Sequence, residues 1–155
     1  CGLMFTPVGP KVLEYNVRFG DPETQVVLPR LVDDLGDLLA AAAAGGLPDH
    51  LPVFDDGAAV TVVCASEGYP AAPRTGDPVE GLDNASAVDG VTVFAAGVGE
   101  HDGRLVTAGG RVLAVTGQGS DVADARRRAY AAVAELSWPG MQVRGDVAAS
   151  PTAVV

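Results

Sequence analysis

The sequence predicts an α+β fold in which a small, mostly antiparallel sheet packs with two substantial helices. Short runs rich in β-branched residues recur along the chain, two longer segments carry apolar residues at helical spacing, and Gly/Pro-rich turns separate them. A chain of 155 residues can bury one sizeable core, and 48% hydrophobic content is typical of globular proteins. These three observations favour a single compact α+β architecture over repeats or a long helical rod.

The first predicted strand covers residues 11–17, "KVLEYNV", because β-favouring residues alternate with polar ones there. Successive side chains of a strand point to opposite faces, so Glu14, Asn16 and Arg18 share one side. The apolar residues between them face the core. Asn is disfavoured inside strands, so the polar side is either a solvated edge or a binding site.

A helix is predicted directly after this strand, in "RFGDPETQ". Asp21 suits the N-cap and Pro22 the first helical position, and apolar residues then follow at helical spacing to Leu38. Gly45 and Gly46 end the pattern, and a Pro-bearing loop follows. Pro29 lies inside the helical pattern, so the helix should kink or split in two.

The second half of the chain predicts the sheet. Strands are expected at 58–66, 91–98 and 110–119, a hairpin at "EHDGRLVT", and a short strand around "MQVRGDV" before a disordered tail. Ser120 or Asp121 should cap a helix that runs through Leu136. Its predicted inner face consists of Val122, Ala125, Ala129, Val133 and Leu136. Cys64 lies mid-strand among apolar neighbours and should be buried.

Composition excludes several classes of function. A net charge of −10 without clustered Lys and Arg argues against nucleic-acid binding, and "ARRRAY" fits a solvated helix face better than a phosphate patch. No apolar run approaches the ~20 residues that span a bilayer, so no membrane partner is expected. Two cysteines form no disulfide framework or metal motif. We therefore expect a cytoplasmic location.

Three sequence patterns could form binding sites, and each also has a simpler structural explanation. "TGQGSD" lacks the Lys-Ser/Thr of a phosphate loop and fits a tight strand-to-helix turn better. His50 and His101 lie in loops with no partner at metal-ligand spacing, which indicates surface residues. The Glu14–Asn16 pair differs, because carboxylate and amide oxygens suit Mg²⁺ bound jointly with phosphate. Arg18 on the same side could bind the remaining phosphate or carboxylate.

The stretch "GPKVLEYNVRFGDPETQVVLPRL" resembles the signature of the phosphoribosylamine–glycine ligases (GAR synthetases), an ATP-grasp family of de novo purine biosynthesis. "GYP", "TAGGRVLAVTGQG", "DARRRAYAAV" and "RGDV" continue the similarity in the family's order. The first of these stretches is very specific for the family, whereas "TAGGRVL" alone would only suggest it. The resemblance covers essentially the whole chain.

The resemblance implies a ligase that forms a C–N bond between glycine and 5-phosphoribosylamine. ATP is the co-substrate: the glycine carboxylate attacks its γ-phosphate to give glycyl phosphate and ADP, and the amine then displaces phosphate. Mg²⁺ or Mn²⁺ is the implied cofactor, with Glu14 and Asn16 as its ligands. Arg18 is the implied catalytic and substrate-binding residue, and Gly20, Asp21 and Pro22 are implied to bind substrate. Asp21 is equally suited to capping the helix.

Family members are far longer, so the resemblance implies that an N-terminal part, with the ATP lid, precedes Cys1. Residues 1–47 would form the end of the ATP-grasp core and residues 48–155 a C-terminal α+β domain. The missing part would be this chain's partner, and the chain alone should be inactive. Two other hypotheses stay open, namely another ATP-grasp ligase and a non-catalytic α+β module that binds a nucleotide or a partner.

Overall fold

The computed structural model describes residues 1–46, 49 and 51–149. In that part of the chain the elements, in order, are β1 Gly2–Thr6, β2 Gly9–Glu14, α1 Thr24–Val27, a 3₁₀ turn Leu28–Arg30, α2 Leu35–Ala43, β3 Ala58–Ala65, α3 Leu82–Ser86, β4 Val91–Ala95, β5 Val98–His101, β6 Arg104–Thr107, β7 Arg111–Gly119, α4 Val122–Val133 and β8 Gln142–Val143. A four-stranded sheet of order β4-β7-β3-β8 stands beside the hairpins β1-β2 and β5-β6. All these strand pairs are antiparallel, as predicted.

The core forms on one face of the central strand pair, β3 and β7. Val62 lies opposite Val115 and Cys64 opposite Leu113, and each of these four side chains is at most 1% exposed. Trp138, which follows α4, packs into the same buried cluster. The continuous apolar run that predicted β3 therefore reflects a strand at the centre of a sheet.

Helix α4 covers this core face at very short range. Its N-cap, Asp121, accepts a hydrogen bond from the Asp124 amide at 2.8 Å, as predicted for the turn after β7. A Cβ on Gly117 would overlap the Ala125 carbonyl oxygen and would lie 2.5 Å from the Ala129 amide nitrogen. Only glycine in β7 and alanine in α4 allow the two backbones to approach this closely.

The opposite face of the sheet is covered by α1 and the 3₁₀ turn, which polar side chains fix in place. Thr116 Oγ1 donates to the Gln25 carbonyl at 2.8 Å, and Gln118 Nε2 donates to the Pro29 carbonyl at 2.9 Å. Thr61 Oγ1 lies 2.7 Å from Thr116 Oγ1 and must be the donor, because the Thr116 hydroxyl hydrogen is already used. The sheet thus lies between α4 and the C-terminal part of the block 9–31 that resembles the family signature.

Three predictions in that first block were wrong. The apolar side chains between Glu14 and Arg18 do not face the core, since Tyr15 is 73% and Val17 96% exposed. Strand β2 ends at Glu14 instead of Val17, and the helix begins at Thr24 instead of Pro22. Asp21 is not the N-cap: that position is Glu23, which makes no side-chain capping bond. The physical reason is that the Asp21 side chain already accepts a hydrogen bond from Gln25 and faces Arg111.

Pro29 splits the predicted helix, as expected. It lies in the 3₁₀ turn, after which Leu31 adopts an extended backbone and α2 restarts with Asp34 as its N-cap. Helix α2 ends at Ala43, and Gly45 follows with φ of +78°. The double glycine therefore ends the helix as predicted.

The inner face of α4 was predicted correctly except at its start. Val122 is 53% exposed because it precedes the point where the helix meets the sheet at Ala125, and the helix ends at Val133. Leu136 is nevertheless buried, and buried Ala132 was missed. The short helix α3 was also missed.

The hairpin at "EHDGRLVT" is confirmed, with Asp102 and Gly103 at φ of 50° and 73° in its turn, and His101 is exposed. The prediction for His50 and the predicted tail from residue 150 lie outside the described residues. No helix in the described ranges has the length and apolarity that crossing a membrane requires.

We predict that Cys64 resists thiol reagents while Cys1 reacts readily. Both are free cysteines, but Cys64 is fully buried, and burial raises the pKa of its thiol to about 12. In the native protein at pH 8, mass spectrometry should show rapid labelling of Cys1 and labelling of Cys64 only after denaturant is added. Equal rates at the two sites would contradict the buried assignment.

The raised pKa of Cys64 should also make the free energy of unfolding depend on pH. Above pH 9 the unfolded thiol loses its proton while the folded one keeps it, so the free energy of unfolding should fall as the pH rises from 9 toward 12. Cys64→Ala should have a shallower decline over this range in urea titrations. An identical slope would show that Cys64 does not contribute.

We predict that Gly117→Ala destabilises the fold by about 1–3 kcal/mol, because a methyl group there overpacks the contact with α4. Urea unfolding measures the change. Gly46→Ala is the matched control, since a Cβ at Gly46 meets nothing within 4 Å. Equal stability of the two variants would mean that α4 can move away from β7 without cost.

Candidate functional site

The predicted pair Glu14 and Asn16 lies side by side at the end of β2. The Asn16 Nδ2 atom donates a hydrogen bond to Glu14 Oε1 at 3.1 Å, with Glu14 exposed and Asn16 half-buried. The strand ends between them, so this hydrogen bond, and not strand pleating, keeps the two side chains together. Glu14 Oε2 and Asn16 Oδ1 accept no hydrogen bond from the described part of the chain.

These two side chains fit a hard divalent cation as part of its ligand set. They offer carboxylate and amide oxygens, the donors that Mg²⁺ and Mn²⁺ prefer, and Mg²⁺ commonly takes only one or two protein ligands beside phosphate and water. Within the described residues no group of three or more His, Cys, Asp and Glu could hold a metal by itself. The pair can therefore complete a metal site that a phosphate-bearing ligand brings, and it cannot form one alone.

Arg18 follows the last residue of β2, Glu14, by four positions, and its side chain lies beside Gly20. Gly20 is buried, and a Cβ on it would overlap the Glu23 carboxylate and lie 3.1 Å from Arg18 Nη1. Arg18 is exposed and forms no ion pair with any described residue. Its guanidinium lies beside the Gly20 backbone, and no hydrogen bond to another described residue uses its N–H groups, so they can bind an anion.

Asp21 is held from two sides. Its Oδ1 accepts from Gln25 Nε2 at 2.9 Å, and its backbone carbonyl accepts from Arg111 Nη1 at 2.7 Å. The same Arg111 nitrogen lies 3.4 Å from Asp21 Oδ2. Sequence reasoning missed Arg111, because it stands 90 residues from Asp21. The sequence pointed to Arg111 only through "TAGGRVL", a stretch that resembles the family.

A cavity of about 380 Å³ opens between the loop around Gly20 and the end of β4. Its volume is within the range of small-molecule sites. The lining residues are Phe19, Gly20, Asp21, Thr24, Gln25, Leu28, Phe94 and Ala95. The structure therefore brings two of the four predicted substrate-binding residues, Gly20 and Asp21, to one concave surface, and Arg18 does not line it. Pro22 is half-buried beside them and does not line it.

The basic run in α4 is used within the fold. Arg126 lies 4.5 Å over the ring of Tyr130 and donates to the Gly145 and Val147 carbonyls. Arg127 donates to Asp124, which holds the pKa of that carboxyl below its usual range. These contacts connect α4 to residues 145–147, so the basic run does not form a free phosphate-binding patch.

Comparisons with known proteins give one consistent result. Residues 59–150 match the family described as phosphoribosylglycinamide synthetase, C domain. The phosphoribosylamine–glycine ligases of Leifsonia xyli subsp. xyli and Streptomyces coelicolor are each 53% identical to this chain, over 96% of it and 36% of their own length. A crystal structure of the Thermotoga maritima phosphoribosylamine–glycine ligase superposes with a TM-score of 0.78 at 38% identity, over 94% of this chain and 35% of that one. The chain thus spans about a third of the length of the curated relatives it matches.

Proposed function

Since the chain belongs to the phosphoribosylglycinamide synthetase C-domain family, we propose that it supplies the C-terminal part of an ATP-dependent ligase that joins glycine to 5-phosphoribosylamine. The relatives' names support this reaction, and the adjacent Glu14 and Asn16 side chains, with Arg18 beside Gly20, support a role in it. The single observation on which the proposal depends is the Glu14–Asn16 pair, because nothing in the packing of the fold requires it.

We assign Glu14 and Asn16 to Mg²⁺ or Mn²⁺ that arrives with the phosphates of ATP. Glu14 Oε2 and Asn16 Oδ1 are the oxygens available for it. Because the Asn16 Nδ2 atom faces Glu14, the amide has to turn its Oδ1 atom toward the Glu14 carboxylate before both side chains can bind the same ion. When bound, the metal neutralises negative charge on the β- and γ-phosphates.

Arg18 is assigned to reduce the repulsion between the two anions that react with each other, the glycine carboxylate and the γ-phosphate. The glycine carboxylate attacks the γ-phosphorus of ATP, the bond to ADP breaks, and glycyl phosphate forms. The amine of phosphoribosylamine then attacks the acyl carbon and phosphate leaves. The free Arg18 guanidinium can hold the carboxylate or the transferred phosphoryl group through paired N–H donors. Gly20 and Asp21, which line the 380 Å³ cavity, and the neighbouring Pro22 are assigned to substrate contact beside it.

Exposed apolar side chains in residues 1–17 motivate the proposed division into the end of an ATP-grasp core, 1–47, and a C-terminal domain, 48–155. The hairpin β1-β2 leaves Phe5 80% and Val8 81% exposed, and just after it Tyr15 is 73% and Val17 96% exposed. Patches of this kind mark surfaces that another protein segment covers. We propose the remaining two thirds of the longer protein as that segment. Both free thiols fit a reducing cytoplasm as its location.

We predict that Glu14→Gln in the full-length protein lowers kcat by at least about 100-fold while the fold is retained, because a neutral amide is a far weaker ligand for a divalent cation. Steady-state assays of ADP release with glycine and phosphoribosylamine test this. Raising the Mg²⁺ concentration should recover part of the activity. Glu100→Gln is the control, since Glu100 is an exposed carboxylate in the separate β5-β6 hairpin. Wild-type turnover of Glu14→Gln at ordinary Mg²⁺ would refute the metal assignment.

We further predict that the 155-residue chain alone binds Mg·ATP weakly, with a Kd in the millimolar range, and forms no glycinamide ribonucleotide. Two oxygen donors on an open surface cannot assemble a magnesium site without further ligands. Isothermal titration with Mg·ATP and a coupled ADP-release assay measure both properties. Micromolar affinity or steady product formation would show that the chain carries a complete active site.

A further inference from the structure

We propose that Arg111 is the positioning residue for the loop of residues 18–22, which it fixes to the sheet so that Arg18 and Asp21 meet substrate in the correct place. The inference rests on the function proposed above and assigns a role to "TAGGRVL", which that function leaves unexplained. Arg111 touches no proposed reactant. It acts through Asp21.

The first support is that, within the described residues, Arg111 makes the sole hydrogen-bonded or ion-paired contact between this loop and the sheet. Among the hydrogen bonds and ion pairs of the described residues, those of residues 15–23 remain within the segment 14–27, with the exception of the Arg111–Asp21 contacts. The next ties to the sheet come later, where Thr116 and Gln118 bind the carbonyls of Gln25 and Pro29. Without Arg111 the loop would be fixed only from its C-terminal side.

The second support is the rigidity of the backbone that carries Arg111. Its carbonyl oxygen accepts from the Gly97 amide at 2.8 Å, and a Cβ on Gly97 would lie 2.6 Å from that oxygen. A Cβ on the preceding Gly110 would lie 2.5 Å from the Tyr69 ring. Arg111 therefore projects from a point where three segments of chain pack with no space between them, as a positioning residue requires.

The third support is the charge of the loop. Glu14, Asp21 and Glu23 are acidic, yet the proposed substrates bring a carboxylate and phosphates to the same place. Arg111 Nη1 lies 3.4 Å from Asp21 Oδ2 and offsets that charge. The pair is only half-buried, so it contributes little to global stability, and its loss should affect the loop more than the fold.

The first experiment measures loop position without any reaction, by hydrogen exchange of the 155-residue chain. In Arg111→Ala, peptides that cover residues 19–27 should exchange several-fold faster, because the Thr24–Gly20 backbone bond at 2.9 Å loses its support. Peptides from β3 should be unchanged. Arg127→Ala is the control, since Arg127 pairs with Asp124 on α4. Unchanged exchange at 19–27 in Arg111→Ala would overturn the proposal.

The second experiment uses the full-length protein and separates KM from kcat. Arg111→Ala should raise KM for glycine or phosphoribosylamine about tenfold and change kcat less, because a displaced loop weakens productive binding. Arg111→Lys should recover part of the loss. Asp21→Asn removes the ion pair without altering β7, and its effect on KM should be non-additive with that of Arg111→Ala. Additive effects would overturn the proposal, and Arg111→Lys takes the place of Arg111→Ala in the cycle if that variant does not fold.

The outcomes distinguish this inference from the function on which it rests. If Arg18→Ala and Asp21→Asn impair the reaction while Arg111→Ala does not, positioning by Arg111 is refuted and the proposed function stands. If none of the three variants changes KM or kcat, both the loop's role in the reaction and the inference fail. Faster exchange at 19–27 together with a raised KM supports the proposal.

Discussion

The close contact between β7 and α4 is the constraint on which the rest of the structure depends. Gly117 has no side chain to separate the strand from the Ala125–Ala129 turn, so the helix backbone lies directly on the sheet. That contact closes the core over Val62 and Val115 and fixes the orientation of β7. The other side of the same strand then carries Thr116 and Gln118, which hold the segment that leads from the candidate site. One strand thus connects the core of the fold to the loop of the candidate site.

Local sequence patterns predicted most of the fold because the elements that they describe satisfy their own physical requirements. The continuous apolar run of β3, the Asp121 cap and the break at Pro29 each follow from residues within one turn or one strand. The failures occurred where a distant residue changed the local preference. Asp21 has the chemistry of an N-cap, but its side chain contacts Gln25 and Arg111 instead, and the helix begins three residues later.

The candidate site likewise combines features that local sequence predicted with features that depend on distant residues. The sequence placed Glu14 and Asn16 together, and the side chains are in contact, although the reason is a hydrogen bond at the end of the strand and not the pleat of a longer one. The Gly20–Asp21 loop was identified through its resemblance to a family. Arg111 and the wall of the cavity formed by Phe94 could not be predicted from local patterns, because they lie more than 70 residues away along the chain and meet the loop only after the sheet has formed.

The long sequence separation in these contacts has a consequence for protein synthesis. The loop with Glu14, Asn16 and Asp21 leaves the ribosome before the side chains that fix it, because Arg111 and Thr116 are translated about 90 residues later. A nascent chain that stops before β7 therefore carries the Glu14–Asn16 pair on a loop that is not yet anchored. Translation itself thus delays assembly of the candidate site until β7 has been made.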